Sequence, residues 1–299
     1  MCDRCKQEYS LNIIAMKKLM SNLLVIALIN LFLASCEIKE KDTAPELPPF
    51  ESMMIDFSKF KVDESVGVAM ATKSTAEETM VNWQFASGQV GFWNFLVTAT
   101  LAVPITSFYY SFLHQPVFMG DDTWQWTYEV TGFASTYIAR LVGTVRTDDV
   151  KWEMYITKEG IEGFPEFLWY EGTSNLSGNG GHWTLYHSYE FQEEVLQIDW
   201  ERSGDQIANI QYSYVRELND NRQVEPFNGS YLEAGLLEGD LDAYYNIHFY
   251  ETWIIKDFVD VKIEWSTTDY NGRVQADFKF GDEDWHCWDG YGYDIVCGE

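Results

Sequence analysis

From Thr123 onward the large apolar residues recur at every second position, and this period constrains the fold more than any other feature of the chain. In the first such run polar residues occupy the intervening positions, and the apolar face consists of Trp124, Trp126, Tyr128 and Val130. Alternation of this kind predicts a β-strand with one dry face and one solvated face. Strands of this type are typical of antiparallel sheets.

The same alternation returns in five later runs, which cover residues 151–156, 194–200, 244–251, 259–265 and 273–280. Turn-forming residues separate the runs, and Asn271-Gly272 between the last two predicts a hairpin. We count roughly eleven strands, at spacings suited to hairpins, with none of the intervening helices that parallel crossovers would need. The sequence predicts a mainly β fold with a short α-helical N-terminal part (α+β). Its single curved antiparallel meander sheet would form a half-barrel or a barrel.

The segment before the sheet, residues 79–120, contains no Asp, Glu, Lys or Arg, although the chain is 22% charged and has a net charge of -27. Two overlapping capping boxes in residues 74–78 predict a helix that begins there and ends near Gly88. A second, almost entirely apolar helix is predicted over about 90–102. Pro104 should end or kink that helix, because proline lacks the backbone N–H.

Residues 90–113 are long enough to span a bilayer if they are helical. Pro104 interrupts the segment, however, and no basic flank marks a cytoplasmic end. We therefore expect a buried element that packs on the apolar face of the sheet, with a ligand-lining wall and membrane insertion as the alternatives. The large side chains of the candidate wall are Phe92, Trp93, Phe95, Leu96, Phe108, Tyr109 and Phe112.

Near the N-terminus a short basic stretch, Met16-Lys17-Lys18, precedes an apolar segment of 11 residues, 23–33, in which Asn30 is the one polar residue. This order is typical of a secretory signal peptide, and 11 residues are too few to remain as a transmembrane helix. Residues 1–15 place acidic side chains ahead of the basic stretch, so we interpret them as a mis-called start. We predict that residues 1–35 are removed from the mature chain.

Leu33-Ala34-Ser35-Cys36 closes this segment and resembles the lipobox of bacterial lipoproteins. The resemblance implies that the chain is cut before Cys36, that the sulfur of Cys36 is diacylated, and that the membrane is a partner through this lipid anchor. The charged residues directly after Cys36 resemble the surface-export signals of Bacteroidota lipoproteins. The implied location is the bacterial cell envelope at the outer membrane, on either its periplasmic or its surface face.

These features divide the mature chain into three parts. Residues 36–50 form the lipidated cysteine and a proline-rich tether. Residues 51–122 form the helical apolar segment, and residues 123–299 form the antiparallel sheet. We expect the last two parts to fold as one domain.

Removal of residues 1–35 leaves three cysteines, at positions 36, 287 and 297. Lipidation uses Cys36, and the remaining even pair in an exported chain predicts a Cys287–Cys297 disulfide. The alternative is a metal site built from these two thiolates with His286, Asp289 and Asp294. Thiolate ligands are uncommon in oxidising compartments, so the disulfide is favoured and no metal or cofactor is expected.

Residues 1–35 carry four basic and two acidic side chains, so the predicted mature chain has a net charge of -29. Such a field repels nucleic acid, and we expect no nucleic-acid partner. No strong catalytic motif is present: the chain lacks GxSxG, HExxH, a P-loop and a Rossmann fingerprint.

The function that these features favour is non-catalytic binding of a lipid, of another hydrophobic ligand or of an envelope protein partner. At the level of architecture the chain resembles the half-barrel lipoproteins that carry lipids. One alternative is glycan binding or hydrolysis, because carboxylates flank an aromatic-rich sheet at Asp199 and Glu201, with Glu129, Glu153 and Glu264 on other polar faces. A second alternative is a structural or adhesive surface protein.

Overall fold

The computed structural model describes residues 43–54, 60–61, 79–132, 135–160 and 162–298. Within them the chain forms one fourteen-stranded antiparallel sheet, in which every strand pairs with its neighbours in the sequence. The strands are β1 (Val117–Gly120), β2 (Thr123–Gly132), β3 (Ser135–Val145), β4 (Asp149–Glu159), β5 (Phe164–Asn175), β6 (Gly180–Tyr186), β7 (Glu194–Ser203), β8 (Gln206–Tyr214), β9 (Tyr231–Leu236), β10 (Ala243–Glu251), β11 (Asp257–Trp265), β12 (Gly272–Gln275), β13 (His286–Trp288) and β14 (Asp294–Ile295). The helices are α1 (Val81–Ser111) and α2 (Asp277–Phe280), and a 3-10 turn covers Phe50–Ser52.

The predicted fold class is confirmed, and the sheet takes the open form. Strands β1 and β14 are the two ends of the order and do not pair with each other. Helix α1 contacts β2 and β3 near one end and β12, β13 and β14 at the other. One helix therefore holds both ends of an open sheet.

Glycines opposite aromatic rings allow the sheet to bury its tryptophans. In the strand register Gly143 lies between Trp124 and Trp152, and Gly272 lies between Trp265 and Trp288. All four of these tryptophans are buried. A Cβ atom on Gly143 would lie 2.6 Å from the Trp152 ring, so the ring occupies the space that a side chain would take.

Helix α1 packs one of its faces on the sheet. Its buried apolar side chains recur every three or four residues, at Ala86, Val90, Trp93, Val97, Leu101, Ile105 and Phe108. This spacing is that of a single helical face. The packing confirms the predicted contact between the apolar helical segment and the sheet.

The prediction of two separate helices, the first ending near Gly88, was wrong, because α1 continues through Gly88 and does not end at Pro104. A glycine within a helix costs only about 1 kcal/mol relative to alanine, which the packing of the buried face offsets. Pro104 removes only one backbone N–H from the helix, the one that would have paired with the carbonyl of Thr100. The capping boxes at residues 74–78 lie outside the described residues.

The N-terminus of α1 is capped by a side chain from the far end of the sequence. The carboxylate of Asp294 accepts hydrogen bonds from the backbone N–H groups of Val81 (3.0 Å) and Asn82 (2.9 Å), and from the hydroxyl of Thr79. The Asn82 amide donates to the carbonyl of Cys287 at 2.9 Å. These contacts fix the start of α1 to β13 and β14.

The last predicted strand differs from the structure. Strand β12 ends at Gln275, and residues 277–280 form α2 instead of continuing the run. Strands β11 and β12 do pair as a hairpin, but residues 266–271 connect them, so Asn271-Gly272 closes a longer loop.

The described part of the predicted tether contacts the domain. Ala44, Leu47 and Phe50 are partly buried against the hydrophobic core, and Met53 is fully buried. Residues 44–299 form one compact unit. The predicted signal peptide and Cys36 lie outside the described residues.

Candidate functional site

Six of the seven candidate wall residues lie on α1, and the seventh, Phe112, directly follows it. Trp93 and Phe108 are buried against the sheet, and Phe108 packs edge-on against Trp183 at 5.4 Å between ring centroids. The other five are exposed, namely Phe92, Phe95, Leu96, Tyr109 and Phe112. The structure therefore does not bring all seven together around one cavity, and a ligand-lining role stays a prediction.

The exposed side of the middle of α1 forms the first apolar surface. Phe92, Phe95 and Leu96, which we name the mid-helix patch, are 59%, 72% and 41% exposed. No charged side chain occurs within α1. Neighbouring large apolar side chains exposed to water mark interaction surfaces when no charge interrupts them.

A second apolar surface lies where α1 ends and β1 begins. We name it the helix-end patch, and its exposed members are Tyr109, Phe112, Leu113, Val117, Phe118 and Met119. Phe118 packs on Trp124 of β2 at 5.1 Å between ring centroids, and its backbone pairs with that of Trp124. The patch is therefore held by the sheet.

Helix α1 meets the length and composition of a membrane span, with a mean hydropathy of 1.4 over its most apolar window. Of that window 39% is buried within the protein. Because one face packs on the sheet, only the opposite face is free to meet an apolar partner.

Polar groups lie beneath the C-terminal part of α1. The Tyr128 hydroxyl donates to the carbonyl of Ser107 at 2.6 Å, and burial raises the pKa of Tyr128 above its usual value. Burial likewise raises the pKa of Tyr170 well above its usual value. The Tyr170 hydroxyl and the Ser107 side-chain oxygen are buried without a hydrogen-bond partner among the described residues. The interior below α1 is thus not purely apolar.

Three clefts open on the described surface away from α1. One of about 470 Å³ lies beside the β9–β10 turn, where Tyr245 and Trp265 form part of its wall. A second, of about 550 Å³, lies between β11 and α2. A third, of about 460 Å³, includes Asp199 and Glu201. None of these three is lined by residues 90–118.

The carboxylates considered for glycan chemistry are distributed along the sheet. Asp199 and Glu201 share the polar face of β7, and Asp199 lies 2.7 Å from the Nδ1 atom of His182. Glu153 pairs with Lys151 at 3.1 Å, and Glu264 accepts from the Arg273 Nε atom at 2.8 Å. Of these carboxylates, Asp199 and Glu201 share one of the three clefts described above.

Cys287 and Cys297 form the predicted disulfide. Bonded sulfurs are not free thiolates, which removes the ligands that the alternative metal site requires. Asp294, another member of that alternative, caps α1 instead. Within the described residues no group of three His, Cys, Asp or Glu side chains is arranged to hold a metal ion.

The β10–β11 turn carries an apolar surface that the sequence analysis missed. Trp253 and Ile254 are 87% and 89% exposed at its tip. The Glu251 carboxylate accepts from the N–H groups of Trp253, Ile254 and Ile255, which orders the turn. Three consecutive apolar residues between two alternating runs were the available sequence signal.

Comparison of the chain with protein-family models, curated proteins and solved structures finds no match in any of the three.

Proposed function

We propose that this chain is a lipid-anchored protein of the bacterial cell envelope that binds a hydrophobic ligand without catalysis, through the mid-helix patch. The observation that carries the proposal is the exposure of Phe92, Phe95 and Leu96 on a helix without charged side chains. Burying each of these side chains against a ligand contributes about 1.5–3 kcal/mol when burial is complete. The lipobox at Cys36 supports the anchor.

The net negative charge of the chain narrows the classes of ligand that this surface can bind. A net charge of -27 disfavours anionic partners, whereas the uncharged face of α1 adds no repulsion of its own toward an apolar one. A ligand with an uncharged apolar body, such as an acyl chain, fits this surface. An envelope protein that offers an apolar face fits it as well.

The anchor is tested by mass spectrometry of the mature protein expressed in a bacterium with its lipoprotein machinery. We expect an N-terminal peptide that begins at Cys36 and carries acyl chains, and a Cys36→Ala variant that lacks them. A mature chain that begins elsewhere, or an unmodified Cys36, would contradict the anchor.

Ligand binding is tested by native mass spectrometry of detergent-free protein and by titration with an apolar fluorescent dye. We expect copurified lipid or saturable dye binding in the unaltered protein, and at least about a tenfold loss of dye affinity in Phe95→Glu. Trp253→Glu is the matched control, since it changes an aromatic residue elsewhere that is exposed even more than Phe95. Equal dye binding by both variants would rule out the mid-helix patch, and pull-down of a protein without any small ligand would favour the adhesive alternative.

A specific observation also favours glycan binding or hydrolysis as the second candidate. Asp199 and Glu201 lie in the same cleft as Asn209 and Asn175, which offers carboxylate and amide groups to sugar hydroxyls. Asp199→Asn and Glu201→Gln should then abolish glycan-array binding or turnover. If the unaltered protein neither binds nor hydrolyses any glycan, glycan binding and hydrolysis are excluded as its function.

A further inference from the structure

The helix-end patch lies beside the point where the predicted tether reaches the domain. Phe50, the last residue of that tether, contacts Tyr109 of the patch edge-on at 5.7 Å between ring centroids. Ala44 and Leu47, which precede it, pack against the core. The chain that leads back to Cys36 therefore leaves the domain from a segment that touches this patch.

The length of the chain outside the domain limits its distance from the lipid. Eight residues, 37–44, lead from Cys36 up to and including Ala44. Fully extended, they reach at most about 29 Å, and as a flexible coil about 16 Å. A domain held this close to a bilayer collides with it repeatedly. The chemistry of the protein surface nearest the tether then determines whether the domain remains bound to the bilayer surface.

That surface suits the interface of a bilayer. Leu113, Val117 and Met119 are 60%, 62% and 57% exposed, and no charged side chain occurs anywhere in residues 79–120. Aromatic and aliphatic side chains of this kind partition into the headgroup and upper acyl region.

Two features limit the depth of insertion. Asp121 and Asp122 follow directly in the β1–β2 turn and are exposed, so they remain in contact with water. Strand β1 is an edge strand, and its outer backbone groups need hydration as well. Contact is therefore shallow, and zwitterionic lipid is favoured over anionic lipid by the negative charge of the protein.

We infer that the helix-end patch rests on the bilayer to which Cys36 is anchored and so fixes the orientation of the domain. This inference rests on the proposed lipidation of Cys36. Successive turns of a meander alternate between the two ends of a sheet, so the β10–β11 turn with Trp253 and Ile254 lies at the end opposite the β1–β2 turn. Docking by the helix-end patch directs that apolar turn away from the anchoring membrane.

The test places an environment-sensitive fluorophore at one of two exposed positions in the full lipidated mature protein. Met119→Cys reports on the patch, and Ile254→Cys is the matched control at the opposite end. Cys36 is acylated and Cys287 is bonded to Cys297, so each variant has one free thiol. The proteins are reconstituted in phosphatidylcholine vesicles, with and without lipids that carry a nitroxide quencher near the headgroup.

We expect a blue shift and at least about threefold stronger quenching at position 119 than at position 254. Leu113→Glu with Val117→Glu should remove this difference while the protein still floats with the vesicles. Both positions are exposed, and near-UV circular dichroism checks that the fold is kept.

Three results would overturn the inference. Equal quenching at both positions in a vesicle-bound protein means that the domain is not oriented by the patch, although the anchor stands. A blue shift at position 119 without vesicles, with dimers in sedimentation, assigns the patch to a second copy of the chain. A protein that carries no acyl chains and does not float contradicts the anchor itself, and the docking inference falls with it.

Discussion

Gly172 shows at the scale of one residue how the sheet accommodates its tryptophans. It lies between Trp152 and Trp183 in the register of β4, β5 and β6. A Cβ atom at this position would lie 2.2 Å from the His182 carbonyl oxygen and 2.5 Å from the Trp183 ring. Glycine is therefore required by the neighbouring backbone and ring, which pack too closely for any side chain.

We expect Gly172→Ala to lower the free energy of unfolding by roughly 1–3 kcal/mol, because the added methyl forces the backbone or the ring to move. Gly88→Ala is the control: a Cβ there meets nothing within 4 Å, and the exposed helical site should gain about 1 kcal/mol. Urea unfolding followed by tryptophan fluorescence measures both. If the two variants are equally stable, the backbone and ring around Gly172 move to accommodate the methyl group without loss of stability.

Glu251 supplies a pH-dependent contact in the β10–β11 turn. Hydrogen bonds from the N–H groups of Ile255, Ile254 and Trp253 hold the pKa of its carboxyl below the usual value. A lowered pKa in the folded state stabilises the turn above about pH 4.3, the ordinary value for Glu. That stabilisation disappears as the pH falls through the lower pKa of the folded state.

Hydrogen exchange at the amides of residues 253–255 checks this expectation. Their protection factors, corrected for the intrinsic rate, should fall between pH 5 and about pH 2. Core amides such as that of Ile247 serve as the internal control for global unfolding. In Glu251→Gln the protection of the turn should no longer depend on pH, and a retained pH dependence would assign it to another group.

At the scale of elements, α1 is held by contacts that its own sequence does not contain. The described residue before the helix, Met80, makes no side-chain cap. The cap comes from Asp294, which lies inside the loop closed by the Cys287–Cys297 disulfide. The β13–β14 hairpin at the C-terminus therefore supplies the hydrogen-bond acceptors for the start of α1.

We expect Asp294→Ala to lower the free energy of unfolding by about 1 kcal/mol, because two helical N–H groups lose their acceptor. Amides at the start of α1 should exchange faster in this variant. Asp294→Asn keeps one acceptor oxygen and should lose less. If the alanine variant exchanges like the unaltered protein at residues 81–84, the cap does not hold the helix.

At the scale of the whole molecule, α1 joins the two ends of an open sheet. Leu101 is fully buried in the middle of the helix, whereas Leu96 is 41% exposed. Since α1 contacts both β2–β3 and β12–β14, loss of its packing should reach both regions.

We expect Leu101→Ala to cost about 2–5 kcal/mol and Leu96→Ala less than about 1 kcal/mol. Hydrogen exchange should show that Leu101→Ala lowers protection in β2 and in β12 together. Lower protection at one end alone would mean that the two ends of the sheet unfold independently.

The sequence by itself determined the mainly β class, the antiparallel meander and the Cys287–Cys297 pairing. Alternation along a strand and the parity of cysteines are local properties, so they can be read without knowing what each element packs against. The pattern that predicts an export signal, and the resemblance of residues 33–36 to a lipobox, are local properties as well.

The tertiary structure alone decided how α1 is used. The uncharged composition of residues 79–120 predicts a buried element, yet one face of α1 meets the sheet and the other is left exposed. From the sequence, Gly88 and Pro104 predict interruptions of the helix. The packing that stabilises α1 through both residues comes from strands that are distant in the sequence. The cap at Asp294 and the glycines opposite tryptophans depend on residues that only the fold brings together. For the same reason, the position of Phe50 beside Tyr109 is visible only in the folded chain.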